Sequence, residues 1–246
     1  GVDKDGRDRT AVCCLSSLNL EKYDEWKDDP DMIGDVMRFL DNVLSDFINK
    51  APEQFKDAKY SAERERSVGL GVMGFHSFLQ KKRIPLESVM AKSWNKKIFK
   101  NIHEKVNQAS KDLAEERGAC PDAAEYGFKE RFSNKTAIAP TASISIICGG
   151  ASPGVEPIAA NSYTHKTLSG SFNVRNRYLE EILEGHGKND DEIWSTITTN
   201  QGSVSHLDFL TNLEKDVFKT AFELNQKWII ELSGDRTPFI SQAQSV

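Results

Sequence analysis

The chain has 246 residues, 38% of them hydrophobic and 28% charged, with a formal net charge of −5; it is long enough to bury a substantial core, and its balance is that of a globular protein. An acidic composition argues against a broad nucleic-acid or membrane-binding surface, and no apolar run reaches membrane-spanning length. No signal-peptide pattern opens the chain, and its four cysteines offer neither a C-x-x-C pair nor zinc-ligand spacing, so a reducing cytoplasm is the expected compartment.

Residues 2–9 are charged and turn-like. Thr10 to Leu20 (TAVCCLSSLNL) alternates as a strand does, with Ala11, Cys13 and Leu15 on one face and Val12, Cys14 and Ser16 on the other. Asp29-Pro30 has the chemistry of an N-cap followed by a first helical residue. Ile33, Val36, Met37, Leu40, Val43, Leu44, Phe47 and Ile48 then mark one apolar helical face.

Gly69-Leu70-Gly71-Val72-Met73-Gly74 fits the dinucleotide fingerprint G-x-G-x-x-G letter for letter. That motif requires an apolar strand before it and an acidic residue about twenty positions later. Here the charged run Ala62 to Arg66 precedes it, and Glu87, the acidic residue near the expected distance, sits at a helix start. A packed strand is the better reading, its glycines permitting close approach. From Pro85 to Arg117 the spacing predicts a helix with Trp94, Ile98, Ile102, Val106, Ala109 and Leu113 inward, stopped by Gly118. Cys120, in the Gly118-to-Pro121 turn, is expected to be structural.

The most informative stretch is Thr136 to Pro157, TAIAPTASISIICGGASPGVEP. An apolar run meets Pro140 and opens into Thr141, Ser143 and Ser145; a second apolar step gives way to Gly149, Gly150 and a Ser-Pro-Gly turn. This reads as a buried strand that delivers its C-terminal end into a loop of free N–H groups and hydroxyls, where small residues let an anion approach the backbone. Downstream, His165, Lys166, Arg175 and Arg177 form a small basic group, either a solvated face or a screen for a bound anion. Ile193-Trp194 begins a short helix. Val217, Phe218, Ala221, Leu224, Trp228 and Leu232 predict a longer one ended by Gly234, after which Phe239 to Val246 leads toward another strand.

Taken in order, Cys-Leu-Ser-Ser from Cys14, the Leu-Gly-Val-Met-Gly strand, Gly-Ala-Cys-Pro, Pro140-Thr141-Ala142-Ser143 and Gly154-Val155-Glu156-Pro157 resemble an internal part of the catalytic barrel of class I ribonucleotide reductase large (α) subunits. The resemblance implies a partial, helix-rich α/β barrel, with residues 1–246 forming a single region of it. It implies substrate-diphosphate binding by Thr141, Ala142, Ser143, Ile144 and Ser145. Ile144 stands where relatives often carry Thr or Ser, so it offers only its N–H. It further implies that Cys13 is one half of the redox pair that reduces a ribonucleoside diphosphate and ends as a disulfide, with Cys14 as packing.

No metal or cofactor is expected in this chain. The resemblance implies a radical supplied by a metal-containing small (β) subunit, thioredoxin or glutaredoxin as reductant, and association with the rest of the large subunit and with further copies. The family's N-x-C-x-E radical-cysteine pattern does not occur in these residues, so the polypeptide is expected to be inactive alone. The competing readings are a stand-alone nucleotide- or phosphate-binding module, an assembly protein without redox activity, and a dinucleotide enzyme built on Gly69 to Gly74.

Overall fold

The computed structural model describes residues 1–168 and 170–246. Its strands are β1 (Leu15–Asn19), β2 (Gly69–Met73), β3 (Ser162–Thr167) and β4 (Gly170–Arg175). The helices are α1 (Tyr23–Trp26), α2 (Met32–Lys50), α3 (Lys56–Glu65), α4 (Phe75–Lys81), α5 (Val89–Arg117), α6 (Pro121–Glu125), α7 (Ile144–Ile147), α8 (Arg177–Gly185), α9 (Asp191–Thr199), α10 (Asn212–Val217) and α11 (Gln226–Arg236).

β1 and β2 pair in parallel, Leu15 opposite Gly69 and Asn19 opposite Met73. The row continues through single parallel bridges, Leu70 to Thr136 and Ile138 to Gln244. The result is an arc of four parallel segments joined by helical crossovers, as parallel pairing requires. Among the described residues this arc does not close into a barrel. β2 is buried throughout, which explains why its sequence is continuous rather than alternating. Its glycines are there for space: a Cβ on Gly71 would lie 2.2 Å from the Ala137 carbonyl oxygen, and one on Gly69 would lie 2.8 Å from the Ala137 Cβ. The dinucleotide reading therefore fails, because these backbone atoms are packed against a neighbouring strand and cannot reach a pyrophosphate.

One core joins the outer face of this sheet (Leu18, Leu70, Val72, Ile138) to α2, α4, α5 and α11. The predicted apolar face of α2 is buried at Ile33, Met37, Leu40, Leu44 and Ile48, whereas Val43 is exposed. Asp41, on the same helix and fully buried, is held by Arg66, Arg117 and Arg131. Burial pushes its carboxyl upward, but the three guanidiniums outweigh that and hold it below the usual carboxylate range. A second core gathers α8, α9 and α10 around Leu179, Leu183, Trp194, Ile197 and Phe218.

Four local expectations are corrected. α2 begins at Met32 with Asp31, not Asp29, as its N-cap; the Asp31 side chain makes no cap bond, and Asp29 Oδ1 accepts the N–H groups of Asp31 and Met32 from the preceding turn. α5 begins at Val89, where Ser88 accepts the Ala91 N–H as its N-cap. The expected long final helix is two, α10 and α11, separated at 218–225, and Gly234 lies inside α11 rather than ending it. Residues 162–175 form an antiparallel hairpin that the sequence reading missed.

Candidate active site

The extended segment 136–138 ends at Ala139-Pro140, and Thr141 turns the chain with φ +56°. A β-branched residue in this left-handed region costs on the order of 1–3 kcal/mol. The cost is offset locally: the buried Thr141 Oγ1 accepts the Gly154 N–H at 2.7 Å, and the Thr141 carbonyl accepts the Ser145 N–H at 3.0 Å. Gly154 is itself required, with φ +47° and room for a Cβ only 2.9 Å from the Ala139 carbonyl oxygen.

The turn leaves Ala142, Ser143 and Ile144 exposed at the start of α7. Among the described residues their N–H groups have no hydrogen-bond partner. The five predicted cradle residues thus divide. Thr141 and Ser145 are buried and turn their hydroxyls inward, Ser145 donating to the Ala142 carbonyl at 3.4 Å. Ala142, Ser143 and Ile144 present open N–H groups, with the Ser143 hydroxyl beside them, which is what an anion can use. The second apolar step is corrected as well. Ile144 to Ile147 form a single helical turn, and Ile144, Ile146 and Ile147 are exposed.

The loop beyond α7 folds back on it. Gly150 donates to the carbonyls of Ser145 and Ile146, and Ala151 donates to Ser145. Ser152 and Ser77 exchange hydrogen bonds with each other's backbone, at 3.1 and 2.9 Å, which fastens the loop to α4. Behind the loop lies a cavity of about 520 Å³ whose walls include Glu21, Gln80, Ile146, Asn161, Arg177 and Tyr178. Tyr178 donates to Glu21 at 2.8 Å; its burial and the adjacent carboxylate push the phenol up. His76 on α4 is also buried and accepts the Ile158 N–H at 3.0 Å through Nδ1, and desolvation pushes its imidazole down to about 4. Among the described residues no group of three or more His, Cys, Asp or Glu side chains is placed to hold a metal ion.

Cys13 is exposed, and it borders a groove of about 410 Å³ at the open edge of β1 with Cys14, Leu15 and the α2 residues Phe39, Val43 and Phe47. Cys14 is buried, with its thiol toward the Leu40 carbonyl on α2; burial pushes that thiol up. The strand expected from Thr10 is shorter, because β1 begins at Leu15 and both cysteines precede it; they still separate into an exposed and a buried thiol. Cys14 packs against α2, and on β1 Leu15, Ser17 and Asn19 share the face opposite Leu18. That inner face is lined with small residues, Gly69, Gly71 and Ala137. At its far end Asn19 donates to the Cys148 carbonyl of the loop at 3.4 Å.

The structure does not bring Cys13 and the cradle into one cavity. Cys13 precedes the N-terminal end of β1, whereas the loop meets the other end of that strand through Asn19, roughly 17 Å of strand away. The basic group is also divided. Arg175 pairs with Asp191 at 2.6 Å, Arg177 reaches the Gly149 carbonyl, and His165 and Lys166 stand on β3. Of the basic group, Arg177 is the one that reaches the loop; Glu21 is the residue that sequence reasoning missed, because its proximity to Arg177 and Tyr178 arises from contacts between distant segments.

The model of the ribonucleotide reductase barrel domain matches residues 2–130 and 122–246. The chain is 52% identical over 242 residues to the ribonucleoside-diphosphate reductase large subunit of Invertebrate iridescent virus 6, covering 97% of this chain and 25% of that protein. It is 41% identical to the putative large subunit of Frog virus 3, covering 97% of this chain and 42% of that one. Its structure superposes on the class Id ribonucleotide reductase alpha subunit of Actinobacillus ureae with a TM-score of 0.90 at 41% identity, over 97% of this chain and 44% of that one. The chain spans between a quarter and less than half of the length of these proteins. Order of motifs, parallel arc and whole-chain match agree: the chain belongs to the ribonucleotide reductase barrel-domain family.

Proposed function

We propose that this chain supplies the substrate-diphosphate cradle and one redox thiol of a ribonucleoside-diphosphate reductase large subunit. The observation that carries the proposal is the row of open N–H groups at Ala142, Ser143 and Ile144, held by Thr141 and Gly154 at the end of a barrel-family strand. In this reading the N–H groups and the Ser143 hydroxyl bind the diphosphate, and Thr141 and Ser145 shape the turn. Fixing the diphosphate limits the sugar's motion relative to the reacting groups.

The net reaction balances as ribonucleotide plus two thiols giving deoxyribonucleotide, water and a disulfide. Cys13 supplies one of the two thiols, and its exposure makes it accessible to a thioredoxin- or glutaredoxin-type reductant. The radical cysteine, the second redox cysteine and the carboxylate base are assigned to other parts of the large subunit, and the radical itself to a metal-containing small subunit. Residues 1–246 then act as one region of the catalytic barrel, within a homo-oligomeric large subunit.

Calorimetric titration of the chain with a ribonucleoside diphosphate, with the nucleoside as control, tests the cradle. Weak, phosphate-dependent binding is expected, together with its loss in Ser143→Asp, which places a carboxylate among the N–H groups while keeping a good N-cap residue. Equal curves for nucleoside and diphosphate would overturn the assignment. For Cys13, the reductase assembled with its complementary segments is expected to lose turnover in Cys13→Ser. Unchanged function would favour a phosphate-binding module without redox chemistry.

A further inference from the structure

Resting on the cradle reading, we infer that Arg177 is a positioning residue that fixes the anion loop to the segment that follows β1. The Arg177 guanidinium donates to the Gly149 carbonyl, at the turn immediately after α7. It also lies 3.6 Å from Glu21, a carboxylate that is 5% exposed and receives the Tyr178 hydroxyl at 2.8 Å. Glu21 follows directly on β1, eight positions after Cys13 in the chain, and its carbonyl is held by Lys81 at 2.8 Å. Arg177 therefore adds a second bridge, beside the Asn19 bond to the Cys148 carbonyl, between the end of β1 and the loop.

Its effect reaches the cradle through hydrogen bonds. Gly149 donates to the Ile146 carbonyl, and Gly150 donates to those of Ser145 and Ile146. These bonds close the C-terminal end of the turn whose first residues are Ser143 and Ile144. Holding Gly149 thus holds the far end of the element that presents the open N–H groups. A charged donor suits this task, since bonds involving an ion are stronger than neutral ones. Because Arg177 meets Gly149 through one nitrogen, a lysine can reproduce the contact.

The test compares wild type, Arg177→Ala, Arg177→Lys and Glu21→Gln in two measurements. Amide hydrogen exchange, read without ligand, is expected to speed up by about tenfold at Gly149, Gly150 and Ala151 in Arg177→Ala. Arg177→Lys should restore protection, and amides in α2 and α5 should stay unchanged. Titration with a ribonucleoside diphosphate is expected to show about tenfold weaker binding in Arg177→Ala, recovery in Arg177→Lys and an intermediate loss in Glu21→Gln. Unchanged loop exchange in Arg177→Ala overturns the proposal whether or not the diphosphate binds. Wild type that fails to bind while Arg177→Ala loosens the loop sinks the cradle and leaves the clamp standing. A loss spread through α2 and α5 and not rescued by lysine also overturns it, because that is general destabilisation.

Discussion

Two glycine-rich stretches of this chain, Gly69 to Gly74 and Thr141 to Gly154, invite the same reading and have opposite fates. The first matches a nucleotide-binding fingerprint and is a strand buried on both faces. The second matches no short fingerprint and holds three open N–H groups at the surface. In the first, glycine removes side chains so that backbones can touch. In the second, glycine and a left-handed threonine bend the backbone so that its donors stay free. A glycine pattern records that a Cβ is unwelcome; only the neighbours show whether a strand or a ligand takes the space.

The sharpest way to break this comparison is Gly71→Val. Its Cβ would sit 2.2 Å from a backbone oxygen, so urea denaturation should show a loss of more than about 3 kcal/mol. A loss below about 1 kcal/mol would mean that β2 can move aside and that its glycines are not packing devices.

The next effect concerns His76, which follows the buried stretch and hydrogen-bonds the segment leaving the open one. Its imidazole lies at about 4 in the folded protein against an ordinary 6.5. The folded state therefore resists a proton that the unfolded state accepts. This contribution to stability is fully present above pH 6.5 and is lost as pH falls toward 4, by about 3 kcal/mol over that window. His76→Gln, whose carbonyl can accept the same N–H, should remove that slope. An identical pH profile for the variant would refute the assignment.

Gly150→Ala should cost about 1 kcal/mol by thermal melting, because its φ of +77° disfavours a side chain while nothing lies within 4 Å of the added Cβ. A cost equal to that of Gly71→Val would erase the distinction between the two stretches. The smallest stability effect belongs to the exposed Ser143: Ser143→Asp should change stability by less than about 0.5 kcal/mol while abolishing diphosphate binding. Together these variants separate glycines that serve packing from residues that serve an anion.

Much of the fold was legible from local pattern. The apolar spacing of Ile33 to Ile48 and of Ile98 to Leu113 located the core faces of α2 and α5, because a helix repeats its buried side every three to four residues. Cys13 and Cys14 do divide into an exposed thiol and a packed one, although the strand expected to separate them begins only at Leu15. Helix starts were less legible at Asp29 and Pro85, since several residues nearby could serve as caps. The hairpin at 162–175 was missed because most of it is exposed, so it carries little of the alternation that burial would impose.

By itself the sequence determined the periodicities, the order of motifs and the small-residue run at 136–157, because each depends on residues close together in the chain. Tertiary structure decided which backbone groups remain free. It paired Leu70 with Thr136, which closed β2 to any ligand, and brought Arg177, Glu21 and Gly149 together. Hydrogen-bond satisfaction is a property of the whole packed chain: a donor is available to a ligand only where no distant segment has already taken it.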